Sequence, residues 1–152
     1  MIAIKKQWLR GIPWEKVVEV NASFCQTQGV SLQVREPNGA AVKAQWEQAG
    51  GQPMGLLEAI EQCRQAHLQA PFVFNNANTF AAIAKSLVDG WAKGLPAVEA
   101  AILRTTLAHY VADRVTQKEL LQVFRHLEPV LKPVAQAQAV PALPADSYVQ
   151  TA

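Results

Sequence analysis

Nowhere in the 152 residues do enough apolar side chains follow one another to cross a bilayer, which takes about 18, so no membrane span is expected. The first eight residues put Lys5 and Lys6 after a very short apolar piece and lack the long hydrophobic region of a secretory signal; export is not expected. Cysteine is scarce. Cys25 and Cys63 both fall on apolar or semi-apolar helix faces, where a free thiol behaves as a small hydrophobe, and a reduced, cytoplasmic protein is the reading. Excess charge is missing too: 14 basic against 12 acidic side chains leave +2, too small an imbalance to argue for an anionic partner.

The motifs that announce chemistry are also absent. There is no GxGxxG, no GxxxxGK[ST], no GxSxG, no HExxH and no CxxC, so dinucleotide, P-loop, nucleophile-elbow and common zinc-site readings find no support. Cys63 and His67 share a helix face at i, i+4, but two ligands are not a metal site, and no metal or cofactor is expected. His109 and Asp113, with the same spacing, read as a surface pair on a helix. The Gly50–Gly51–Gln52–Pro53–Met54–Gly55 loop leads into a helix without the Lys or Ser/Thr that a phosphate would need, and reads as an ordinary connection.

What is present is an apolar half of the composition, enough to build one core in a chain of this length. Ile2, Ile4, Lys6 and Trp8 alternate with Ala3, Lys5 and Gln7, a period of two with one polar interruption, and predict a strand over 2–8. Pro13 then opens a helix to about residue 28, stopped by Gly29. Val30, Leu32 and Val34 alternate as a half-buried strand, Glu36–Pro37–Asn38–Gly39 reads as a turn, and Ala40, Val42, Ala44 and Trp46 complete a hairpin, with a short helix as the rival over 40–48. Leu56, Leu57, Ile60, Cys63, His67 and Leu68 mark a second helix, and Pro71 to Phe74 a buried strand.

That order is a ferredoxin-like βαββαβ unit over 2–75, and the fold class it predicts is α+β. From Asn78 onward the period is helical: one helix from about 78 to 93, one from Pro96 to about Arg114, and one opened by a Thr116/Glu119 capping box. Pro129 is expected to kink or end that last helix early. The domain organisation is one α+β domain over 1–132, with 78–132 helical, and a Pro/Ala-rich tail over 133–152 read as extended or disordered.

Two functional readings follow. The first is a non-catalytic protein–protein interaction subunit of a homo-oligomer or larger assembly. Its contact surfaces are the apolar helix 96–114 and the stripe Leu120, Phe124, Leu127 and Leu131. The alternative is a nucleic-acid-associated accessory protein holding RNA or DNA backbone through the sheet layer with Lys5, Lys6, Arg10, Arg35 and Lys43. The βαββαβ order is shared with the RNA recognition motif, but the aromatics that stack bases on its central strands are missing here. A ligand pocket at Asn75, Asn76, Asn78 and Thr79, where a strand meets a helix, ranks third.

Overall fold

The computed structural model describes residues 4–139, with side chains described as far as residue 130. Among the described residues there are helices and no strands: α1 Trp14–Thr27, α2 Asn38–Gly50, α3 Leu56–Gln69, α4 Asn76–Leu87, α5 Asp89–Ala92, α6 Ala97–Val111 and α7 Gln117–Ala139. The ferredoxin-like βαββαβ unit and the α+β class are therefore overturned. No helix of the described residues is long and apolar enough to cross a membrane.

The expected strands survive only as two isolated antiparallel bridges. Lys6 pairs with Met54, and Val34 with Phe72, each held by two backbone hydrogen bonds. Within the expected strand 2–8, Lys6 meets the loop before α3 rather than another strand, and Ile4 is 61% exposed; Ile2 lies outside the described residues. Phe72 is fully buried, but by rings: it stacks on Trp14 at 5.8 Å and faces Phe80 at 6.5 Å.

Residues 40–46 take the rival conformation, inside α2. Its buried positions, Gly39, Val42, Trp46 and Ala49, recur every three or four residues, which only a helix places on one side. Ala40 and Ala44, inward on the strand reading, are exposed, and alanine is the strongest helix former. Gly39 is required by proximity: a Cβ there would meet the Val34 side chain and lie 3.3 Å from the Pro71 carbonyl oxygen.

The helical periods elsewhere are realised. α1 ends in a Schellman motif, with Gly29 at φ +71° and the Val30 and Gly29 amides donating to Cys25 and Gln26 carbonyls. The capping box of α7 forms in both directions: Thr116 N–H donates to Glu119 at 2.8 Å and Glu119 N–H to Thr116 Oγ1 at 3.2 Å. Two boundaries differ from expectation. The helix expected from 78 to 93 is interrupted at Val88, and α7 runs past Pro129 and Pro133 to Ala139. Residues 133–139 of the expected tail are thus helical, while 140–152 lie outside the described residues.

The core is continuous. α4 packs on α1, α3 and α6; α6 in turn touches α3, α4, α5 and α7, as the apolar circumference of 96–114 required. Leu9 of the N-terminal segment, Leu56 and Ile60 of α3, Phe80 of α4 and Leu103 and Leu107 of α6 are almost completely shielded within it.

Candidate functional site

The stripe on α7 is consumed inside the fold. Leu120, Phe124 and Leu127 are 1%, 3% and 0% exposed and belong to the common core, and Leu131 lies outside the residues whose side chains are described. The contact role expected of them has no free surface at these three positions.

The asparagine segment divides. Asn76 turns back on the preceding loop, accepting from Phe72 N–H at 3.0 Å and donating to Phe72 C=O at 2.8 Å, so it closes the turn before α4. Thr79 instead meets α1, Asn75 meets Gln28 just past the end of α1, and Asn78 supports Asn75. Asn75 exchanges hydrogen bonds with Gln28, and Asn78 donates to Asn75 at 3.0 Å. Buried Asn21 donates to Thr79 and to the Phe74 carbonyl, and accepts from Cys25 Sγ. Groups this thoroughly paired with one another act as a clasp between α1 and α4.

The basic residues have no sheet to gather on. Lys6 Nζ sits 3.9 Å over the Trp8 ring and Arg10 donates to Gln7 Oε1 at 2.9 Å, while Lys5, Arg35 and Lys43 are exposed. The loop before α3 is likewise occupied by the protein's own carboxylate: Glu58 Oε1 accepts from Gly55 N–H at 3.5 Å, where an anion would have to sit.

Sequence reasoning missed a polar cluster at the α3–α6 junction. Glu61 accepts from Arg64 Nε and from Gln65, and takes a short hydrogen bond from the Tyr110 hydroxyl. Arg64 bridges onward to Asp113 at 2.8 Å. Glu61, Arg64, Tyr110 and Asp113, with Thr116 and Gln117, line a cavity of about 380 Å³. Asp113 reaches Arg64 because α6 has ended and its backbone takes φ 63°, which replaces the expected His109–Asp113 surface pair. Only the Glu61/Arg64/Gln65 spacing on one helix was visible beforehand.

Burial works against ionisation of Glu61, but hydrogen bonds from Arg64, Tyr110 and Gln65 outweigh it and hold the carboxyl below its usual range. Burial, then the Glu61 hydrogen bond and charge, push the Tyr110 hydroxyl up to about 12. At neutral pH the pair is therefore carboxylate and neutral phenol, both far from the range where protons are easily exchanged. The cluster braces α3 against the α6–α7 turn.

Cys63, fully buried, has its thiol pushed up by desolvation. Burial lowers His67, with Asp113 pulling weakly the other way. Among the described residues no group of three His, Cys, Asp or Glu side chains is placed to hold a metal ion.

Among the described residues, an apolar surface left uncovered is the outer face of α6. Val98 and Ile102 are 67% and 38% exposed, and Ala97, Ala101 and Thr105 beside them are exposed too, so about two and a half turns present no charge. The charged members of that stretch, Glu99 and Arg104, lie on the flanks, half-buried, with Arg104 bonded to Asp89 at 3.3 Å. No protein-family model, no curated protein and no solved structure matches the chain.

Proposed function

We propose that the chain is a non-catalytic protein–protein interaction subunit that assembles with copies of itself through the outward face of α6. The observation that carries this reading is the uncharged run Ala97, Val98, Ala101, Ile102 and Thr105 on a helix whose other sides are already packed. In a two-fold contact each residue meets the same surface on its partner, so a face without charge creates no like-charge pair. Alanines at 97 and 101 also let two backbones approach closely enough for Val98 and Ile102 to interlock. Burying those two side chains contributes on the order of 1 kcal/mol each at about 25 cal/mol/Å².

Sedimentation velocity across a concentration series tests the reading. The wild-type chain is expected to shift from monomer toward dimer as concentration rises, and Val98→Glu with Ile102→Glu to stay monomeric at every concentration. A wild-type chain that remains monomeric throughout removes self-assembly.

A further inference from the structure

The turn between α6 and α7 consists of Ala112, Asp113, Arg114, Val115 and Thr116, with neither glycine nor proline among them. It is closed by the same motif that ends α1: the Asp113 and Arg114 amides donate to the Tyr110 and His109 carbonyls at 3.0 and 2.8 Å. Where α1 places Gly29, at φ +71°, this turn places Asp113, at φ 63°. A side chain carries a steric cost in that left-handed conformation which glycine does not. Short hinges under strain favour the exchange of an element between copies. Every residue of this one is compatible with a helix, so a straightened turn would run α6 and α7 together.

The contacts of α7 suit such an exchange. It packs on α6 and more lightly on α5, and its Leu120, Phe124 and Leu127 are buried in the common core. No side chain described on α7 makes a hydrogen bond or ion pair to another element. If α7 leaves, it uncovers a contiguous apolar groove, and the segment shaped to refill that groove is the same helix of a second copy. Two interactions oppose the opening. The Thr116/Glu119 capping box needs a helix that starts afresh at Gln117, and the Arg64–Asp113 ion pair, at 2.8 Å, holds Asp113 in the bend. Both partners of that pair are partly exposed, so its hold is modest and weakens with salt.

We propose that the Ala112–Thr116 turn is a hinge through which two copies exchange α7, each filling the groove on α6 of the other, and that the Arg64–Asp113 ion pair is the latch that keeps the wild-type chain closed. The exchange uses the α6–α7 groove and not Val98 and Ile102, so it stands apart from assembly through the outer face of α6.

The test uses the full chain carrying Val98→Glu and Ile102→Glu, which removes that outer face, and compares Asp113→Ala with Asp113→Gly on this background. Both lose the Arg64 contact, while alanine favours the straight helix and glycine the left-handed bend, so the comparison reads the hinge alone. After unfolding in urea and refolding at high concentration, Asp113→Ala is expected to show a dimer-to-monomer ratio at least about tenfold that of Asp113→Gly in sedimentation velocity. The isolated dimer should survive dilution and return to monomer faster in mild urea, because each α7 must leave a buried groove before the copies part. Position 113 is exposed, and circular dichroism checks that both variants fold. Equal ratios from the two variants, a dimer that separates as soon as it is diluted, or monomer alone from both at every concentration overturns the proposal. None of these outcomes bears on the outer face of α6, whose own test is made with the hinge intact.

Discussion

Asn21 of α1 donates its side-chain amide to the Thr79 hydroxyl of α4 at 3.1 Å, and both residues are completely shielded from solvent. The same amide donates to the Phe74 carbonyl at 2.8 Å, and the Asn21 oxygen accepts from Cys25 Sγ at 3.5 Å. One buried side chain thus satisfies groups on two helices and on the turn between Phe72 and α4. Asn21→Leu conserves volume but leaves the Phe74 carbonyl and the Thr79 hydroxyl without this donor. It is expected to cost about 2–3 kcal/mol, the desolvation penalty of buried polar groups left unpaired. Urea unfolding should show a lower midpoint at unchanged slope; a midpoint within error of wild type contradicts the clasp.

The Glu61–Tyr110 brace carries a pH signature on both sides of neutrality. Glu61 has a lowered folded value, so its contribution is present above its ordinary 4.5 and is lost as pH falls through the folded value. Tyr110 is raised to about 12, so its contribution is present below its ordinary 10 and is lost as pH climbs toward 12. In thermal melts across pH, Glu61→Gln should flatten the acid limb and Tyr110→Phe the alkaline limb. Melting profiles parallel to wild type on both limbs would mean the brace does not couple to folding.

His67 is expected to be a net liability. Its Nδ1 is buried with no hydrogen-bond partner among the described residues, and burial lowers its proton affinity in the folded state. The folded chain therefore binds this proton less readily than the unfolded one, and stability falls as pH drops below the ordinary 6.5. His67→Leu should gain about 1 kcal/mol, or about 2–4 °C in Tm, and reduce the loss between neutral and mildly acidic pH. A lowered Tm would show that the imidazole is better satisfied than its surroundings indicate.

Which parts of this fold were legible depends on how many periods a segment's apolar residues satisfy. In α1, Trp14, Val17, Asn21 and Cys25 fit only a helix, and in α7 the Thr116/Glu119 pair names its own first turn. In α2, Val42 and Trp46 are four apart, which suits a strand face and a helix face equally; the alanines around them, Ala40, Ala41 and Ala44, with only a methyl group each to bury, decide for the helix. Phe72 read as a strand residue because it is buried in an apolar run, yet its burial comes from Trp14 and Phe80. The Leu120, Phe124 and Leu127 stripe was correctly apolar, but periodicity cannot say whether a stripe meets its own chain or another. Tyr110 and Glu61 are 49 residues apart, and nothing local ties them together.

The central claim is that the outer face of α6 is where copies meet, and cysteine cross-linking tests it most directly. Cys25 and Cys63 are buried, so a cysteine introduced on the surface is the reactive one. Treated with a short bis-maleimide, Ile102→Cys should give a cross-linked dimer, while Lys43→Cys, on the exposed side of α2, should give almost none under the same conditions. Equal yields from the two variants, or no dimer from Ile102→Cys at concentrations where the chain sediments as an assembly, would contradict the account.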